Sequence, residues 1–567
     1  MKNTIYLYIL ILFSCSTPKN EADLIIVNGN VHTVNEQQAQ AEAIAIKNGI
    51  IIHVGSNEEV EAFAAKASNK IDAQGQFIMP GFIEGHGHFS GMGSSLVNLN
   101  LLNTKSWEEV LQRVEKKLAE AKKGEWITGR GWHQEKWENP PEENVHGYPF
   151  HDELSKLSPD NPLILYHASG HALFANEAAM QEVGINTETP DPVGGEIVRD
   201  DGGEAIGVFE ERAMGAFREA YNKYQENISD AEKYQLWLKG INLAQQACIQ
   251  QGVTSFQDAG SSFDQLKYFE ELAKKGDLDI RLWAMIRETH ANMNGKLNGF
   301  PKIDIGDKHF TCRAIKSEVD GALGSFGAWL LKAYEDKPGF EGQNTTSLEE
   351  VVKISKLAKN HNLQLCVHSI GDRANRVVLD MFEAHMPKKG YDAGSRWRIE
   401  HAQHLNPLDI PRFSQMGVIA SMQAVHCTSD SPFVEKRLGH KRSKEGAYAW
   451  RSLLDSGARI ANGTDVPVEE INPLDCIYAS VTRKRKDNDF EFFTEQKMTR
   501  AEAIKSYTLD NAYAAFEEKD KGSIEVGKLA DVIVLSKNLM TCSDKEILDT
   551  EVLYTVIGGE IKHRLER

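Results

Sequence analysis

The sequence predicts an α/β protein built on a parallel sheet, with β-rich segments at both chain ends. Three observations point there. Strand-like apolar runs alternate with helical patterns through the middle of the chain. Histidines and an aspartate fall at the ends of several of these runs. Both termini carry short apolar runs punctuated by Asn-Gly and Gly-Gly turns. Alternating strand and helix implies parallel pairing, and functional residues at strand C-terminal ends are the barrel arrangement.

At 567 residues the chain exceeds one ordinary core and implies two or three domains. Hydrophobic residues make up 41% and charged residues 26%, the balance of a soluble globular protein. A formal net charge of −18 argues against nucleic acid as a partner, because a phosphate backbone needs a basic surface. Ile5 to Phe13 is too short to span a bilayer, follows Lys2 and precedes small residues, as in a secretory signal. Leu12-Phe13-Ser14-Cys15 resembles a bacterial lipobox, which makes residues 1–15 a lipoprotein signal peptide and Cys15 the lipidated first residue. The other six cysteines lie far apart without a Cys-x-x-Cys and read as buried thiols.

After a polar tether, Leu24–Val27 and Val31–Val34 flank Asn28-Gly29-Asn30 and read as a hairpin. Ala43–Ile46 and Ile50–Val54 around Asn48-Gly49 read as a second. Val532–Leu535 and Val552–Ile557, followed by Gly558-Gly559, are the matching β-rich segments at the other end. Between them, strand runs such as Gly252–Asp258, Ile280–Met285 and Leu363–His368 alternate with helical patterns at Ala231–Gln250, Leu348–Asn360 and Ala374–His385. Leu99–Gly240 is too long for one strand–helix unit and reads as an insertion that helps build the pocket. Its Trp107, Trp126, Trp132 and Trp137, with Phe326, would favour apolar or aromatic groups where they line the pocket, although aromatics at this density more often serve packing.

The densest chemistry lies at His86 and His88. On a strand running through Ile83, residues two apart face one space, and paired imidazoles suit Zn²⁺. His368 ends the run Leu365–Val367. His401 and His404, three apart, cannot both point inward from a strand, and burial on both faces leaves the register open. Asp465 follows the short run Ile460–Thr464, where Asp otherwise caps a turn. Lys316 either pairs with Glu318 or Asp320, or is desolvated and open to carbamylation.

As a set, these motifs resemble the metal-dependent amidohydrolase superfamily, in the amidohydrolase 3 branch of N-substituted formamide deformylase-like enzymes. The carriers are Ile78–His88, Lys316 with Asp320–Ser325, Leu365–Asp372, Arg398–His404 and Asn462–Pro467, joined by Gly129–Trp132 and Gly170-His171-Ala172. The resemblance runs from about Asp23 to the C-terminus. It implies a (β/α)₈ TIM-type barrel over 81–517, with an insertion after the first strand at about 99–240. It also implies a small β-sandwich formed by 23–80 and 518–567. The implied metal ligands are His86, His88, Lys316, His368, His401 and Asp465, holding one or two ions of Zn²⁺ or a similar divalent metal, with Lys316 as the carbamylated form.

The implied activity is hydrolysis of a carbon–nitrogen bond, not a peptide bond, in a small N-substituted amide. Asp465 would be the acid/base and His171 would assist at the carbonyl oxygen. Deamination, ester hydrolysis and ligand binding without turnover are the alternatives. Family members often carry Arg after Gly-Ser where this chain has Phe326. The expected partners are a small-molecule substrate and a membrane reached by the lipid anchor alone, and a homo-oligomer is compatible with the sequence. The expected location is the bacterial cell envelope. If the lipobox operates, Cys15→Ala releases soluble protein or leaves the precursor uncleaved; unchanged mass and membrane association contradict it.

Overall fold

The computed structural model describes residues 21–566, except 67, 103, 133, 135–136, 139–140, 168–171, 193–194, 325, 387–393 and 489. Cys15 and His171 therefore lie outside the described residues. The chain divides into two compact units, one formed by Met1–Gly87 with Cys248–Arg567 and one by His88–Ala247. No helix among the described residues is long and apolar enough to cross a membrane.

The first unit holds a (β/α)₈ TIM-type barrel. Its strands follow the hydrogen-bonded order Phe82–Gly87, Val253–Ser261, Arg281–Ile286, Phe310–Glu318, Gln364–Ser369, Arg398–His401, Ile419–Met422 and Ile460–Asn462. Every neighbouring pair along that path is parallel. Parallel strands covered by helices are buried on both faces and lose the alternating pattern. Arg281–Ile286 and Phe82–Gly87 are accordingly buried at every position.

The barrel closes differently between its first and last strands. Strand-ladder pairing stops there, and side chains bridge the seam. Asn511 Nδ2 donates to the carbonyls of Ile83 (2.5 Å) and Asn462 (2.7 Å), while its Oδ1 accepts from Asn462 N (3.1 Å). Glu84 Oε1 accepts the N–H of Thr464 at 2.6 Å, and Asp465 N donates to His86 O at 2.8 Å. The approach excludes side chains. A Cβ on Gly85 would lie 2.4 Å from Asn462 O, and one on Gly463 would lie 2.4 Å from Glu84 Oε1.

Both chain ends build the sandwich. One sheet has the order Ile50–Gly55, Ala43–Lys47, Leu24–Val27, Asn69–Asp72. The other has Glu560–Arg564, Val552–Ile557, Val532–Leu535, Phe77–Pro80, Asn30–His32, Gln40–Ala41. Their shared core joins Leu24, Ile26, Ile44 and Ile78 to Ile524, Val532, Val534 and Val556. The hairpin expected at Asn28-Gly29 does not form. Leu24–Val27 pairs with Ala43–Lys47 and Asn69–Asp72, and Asn30–His32 pairs in the other sheet. The chain crosses between sheets at Gly29, where a Cβ would lie 2.2 Å from Ile78 Cδ1. The Asn48-Gly49 hairpin does form, with both residues at positive φ (50° and 75°), as a tight two-residue turn requires. Asp531 ties sandwich to barrel, accepting from Arg281 Nε (2.7 Å) and Nη2 (3.1 Å) in a buried bidentate pair.

The second unit follows the first barrel strand. Its mixed sheet has the order Gly195–Arg199, Ala205–Glu211, Ala172–Ala175, Leu163–His167, Ile127–Trp132, Leu99–Asn100. Trp107, Trp132 and Trp137 pack in one core of this unit and Trp126 in another. Trp132 Nε1 donates to Leu165 O at 2.7 Å. These four side chains pack in the cores of this unit, as aromatic residues at this density more often do. Phe326 lies half-buried in the first unit with the Arg437 guanidinium 3.9 Å from its ring centre.

Because one amide supplies three of the seam's hydrogen bonds, Asn511→Ala should leave Ile83 O, Asn462 O and Asn462 N short of partners. At ~1–3 kcal/mol for each buried group left unpaired, a loss of at least roughly 3 kcal/mol is expected in denaturant unfolding. A loss under ~1 kcal/mol would show that the seam holds without it.

Candidate metal centre

His86 comes from the first barrel strand and His401 from the sixth, and both are buried. Their ring centres lie 4.8 Å apart, and those of His401 and His368 lie 4.4 Å apart. His86 Nε2 is 3.5 Å from Asp465 Oδ1. Four of the expected residues, from four strands or strand ends, thus surround one space at the C-terminal mouth of the barrel. The strand carrying His86 ends at Gly87. His88 follows as the residue preceding the helix Phe89–Val97, and it offers a ligand atom within 4.8 Å of those of His86 and Asp465.

Backbone turns explain how side chains of opposite parity converge. Alternation along Arg398–His401 assigns Arg398 and Glu400 to one face and His401 to the other. Positive φ at His401 (74°) and Ala402 (43°) ends the extended run and lets both Glu400 and His401 reach His86. Asp465 is also left-handed, at 60°. Such conformations cost ~1–3 kcal/mol each and persist where the surroundings fix them.

The residues behind the rings decide what the rings present. Glu400 Oε2 lies 2.5 Å from His86 Nδ1, and Gln423 Oε1 lies 2.7 Å from His401 Nδ1. Both partners are oxygen acceptors, so each Nδ1 carries the proton and Nε2 is the nitrogen left to ligate, that of His86 lying 3.5 Å from Asp465 Oδ1. Burial, then the neighbouring His368 and His86, hold His401 well below the usual imidazole range, so it stays neutral. Burial brings His368 down to about 3. Neutral imidazoles beside a carboxylate are the donor set a divalent ion needs, and the residues present fit one.

Burial alone would raise the Glu400 carboxyl, but the Arg398 guanidinium and His86 hold it well below the usual range. Glu400 is thus an anion inside the barrel, with Arg398 Nε at 2.7 Å. Lys316 is buried on Phe310–Glu318, and burial lowers its pKa. Neither expected salt-bridge partner takes it. Glu318 pairs with Arg287 at 2.7 Å, and Asp320 accepts backbone N–H groups from Ile370, Gly371 and Trp329 at 2.8–2.9 Å.

His404 stands elsewhere. It is buried, its ring meets Tyr448 edge-on at 5.5 Å, and neither ring nitrogen has a hydrogen-bond partner among the described residues. Sequence reasoning missed His426, at the start of the helix Ala424–Leu438, which groups with His401 and Asp465 within 4.8 Å. It also missed Glu400, Gln423 and Glu84. The strand Ile419–Met422 before His426 is only four residues long, too short for its apolar pattern to stand out.

The model of the amidohydrolase family matches residues 70–563. The chain belongs to the amidohydrolase family. It is a hydrolytic enzyme of the metal-dependent kind. Protein LONG AFTER FAR-RED 3 of Arabidopsis thaliana is 31% identical over 551 residues, covering 95% of this chain and 91% of that protein. N-substituted formamide deformylase of Arthrobacter pascens is 27% identical over 551 residues, covering 95% and 98%. A solved structure described as an uncharacterized metal-dependent hydrolase from Pyrococcus horikoshii OT3 matches with TM-score 0.72 and 26% identity, over 92% of this chain and 99% of that one.

Two substitutions test the register. His401→Ala should lower bound metal, measured by mass spectrometry of the purified protein, while His404→Ala should not; the reverse ranking contradicts the site. Glu400→Gln removes the anion behind His86, and metal affinity should fall about 10–100-fold, as for other supporting partners of metal-bound histidine.

Proposed function

We propose that this amidohydrolase cleaves the carbon–nitrogen bond of a small N-substituted amide, an N-formyl or N-acyl amine. The observation that carries the reading is Asp465, a buried carboxylate 3.5 Å from His86 Nε2 and with a ligand atom of His401 within 4.8 Å. A closed structural site needs no such base. The relative named N-substituted formamide deformylase supports the substrate class. His86, His88, His368, His401 and Asp465 would hold Zn²⁺ or a similar divalent ion. Lys316, buried and without an ion pair within 4 Å among the described residues, would serve as a carbamate bridge to a second.

A bound divalent ion supplies an acidified water and polarises the carbonyl. The protein's part is positioning and proton transfer. Asp465, fixed by its N–H bond to His86 O, takes the proton released as water adds to the carbonyl carbon. It returns that proton to the nitrogen as the carbon–nitrogen bond breaks. Glu400 and Gln423 keep His86 and His401 in the tautomer whose Nε2 can ligate. His171 is a further candidate at the carbonyl oxygen. The segment Ile5–Cys15 supports an anchored location in the cell envelope.

Asp465→Asn should keep the fold and part of the metal while kcat falls about 10²–10⁴-fold, the range of general acid–base catalysis. Near-normal turnover would remove Asp465 from the reaction. The substrate class is tested with metal-restored protein on a panel of N-formyl and N-acyl amines, cyclic amides, aryl esters and purine or triazine amines. Fastest amine release from the amides supports the reading, and activity confined to esters or ring amines overturns it. For Lys316, native mass spectrometry should show one added CO₂, and Lys316→Ala should lose one of two metals. A single metal unaffected by that change ends the bridge.

A further inference from the structure

His426 meets the same space as His86 and His401, but it is held by an opposite partner. Behind His86 and His401 stand oxygens, Glu400 Oε2 and Gln423 Oε1. The Gln423 amide is oriented by its own Nε2, which donates to Ser421 O at 3.3 Å. Behind His426 stands a nitrogen. Gln403 Nε2 lies 3.1 Å from His426 Nδ1, and an amide nitrogen only donates. Nδ1 of His426 must therefore be the acceptor, which places the ring proton on Nε2.

That Nε2 is buried and has no hydrogen-bond partner among the described residues. The ring stacks on His401 at 6.3 Å with 12° between planes, and the ligand atoms of His401, His426 and Asp465 lie within 4.8 Å of one another. A nitrogen bearing hydrogen cannot ligate a metal. It can donate to an oxygen placed between Asp465 and the imidazoles, which is where the proposed reaction puts the substrate carbonyl.

We propose that His426 is a catalytic hydrogen-bond donor to the scissile carbonyl oxygen, positioned by Gln403. This rests on the amide-hydrolysis reading. When water oxygen bonds to the carbonyl carbon, the C=O pair moves onto oxygen and the water proton goes to Asp465. The oxygen then carries negative charge, and the His426 Nε2–H bond strengthens without transfer of its proton. As the carbon–nitrogen bond breaks, the pair returns to C=O and the nitrogen takes the proton from Asp465. His426 ends the cycle unchanged. The contrast between donor-backed and acceptor-backed rings thus separates the ring that meets substrate from those that meet metal.

The test uses zinc-loaded protein, 4-nitroacetanilide as substrate and its methylphosphonamidate counterpart as tetrahedral mimic. His426→Leu should retain its zinc, lose about 10²–10³-fold in kcat, as for removal of one oxyanion donor, and bind the mimic weaker by a similar factor while KM changes little. His426→Gln, which keeps an N–H donor, should recover part of both. Gln403→Glu replaces the donor with an acceptor. In ¹⁵N-histidine spectra it should move the His426 proton from Nε2 to Nδ1 and weaken mimic binding, even where His426→Leu fails to fold. Loss of zinc in His426→Leu, unchanged mimic affinity, or a wild-type His426 protonated at Nδ1 each overturns the proposal. If wild-type protein hydrolyses no amide, the amide reading fails, whereas the tautomer and mimic affinity still judge the donor.

Discussion

Glu400 is an anion with no solvent, and most of the centre depends on how that charge is met. Burying a carboxylate costs several kcal/mol unless it is paired and hydrogen-bonded. Arg398, two residues earlier on the same strand, supplies the charge and does more. Its guanidinium also reaches Gln257 Oε1 (2.5 Å), Gly85 O (2.8 Å) and Ser421 Oγ (2.7 Å). One side chain therefore ties together the first, second, sixth and seventh strands beneath the metal centre. The remaining face of Glu400 is spent on His86 Nδ1, which fixes the tautomer and aims Nε2 at Asp465. Strand order, charge compensation and ligand chemistry are one network.

The seam of the barrel has a related logic. Where the first and last strands meet, regular pairing gives way to Asn511, Glu84 and two glycines that admit no Cβ. His86 and Asp465 sit on that seam and are joined by a backbone hydrogen bond. Burial pushes Glu84 up to about 8, while the N–H groups of Thr464 and His86 act against the shift. The left-handed backbone at His401 and Asp465 breaks strand alternation at the points where side chains must converge. At the mouth this local irregularity is held by the continuous buried strands below it.

The sequence made the fold legible through alternation and β-rich ends, and His86 stood out with His88 as a His-x-His pair, whereas His368, His401 and Asp465 were placed by resemblance to the amidohydrolase superfamily, since an isolated His or Asp at those points reads as a core or turn residue. The partners did not stand out. Glu400 adjoins His401, and strand periodicity assigns it to the other face; only the turn at His401 and Ala402 makes both useful. His426 follows a four-residue strand and begins a helix, so no periodic signal marks it. The register between His401 and His404 depended on that same turn, which no pattern of apolar residues encodes. The Asn28-Gly29 segment misled for a related reason. Its turn chemistry is local, whereas the pairing of the flanking strands is decided by which sheet can bury Leu24, Ile26 and Val31.

The central claim is that acceptor-backed imidazoles present Nε2 lone pairs to a metal beside Asp465. Diffraction from zinc-loaded crystals, recorded at the zinc absorption edge, tests it most directly. The account predicts an anomalous peak roughly 2.0–2.1 Å from Nε2 of His86 and of His401, with an Asp465 carboxylate oxygen in the same shell. Zinc bound instead at His404, or ligation of His86 or His401 through Nδ1, would contradict it.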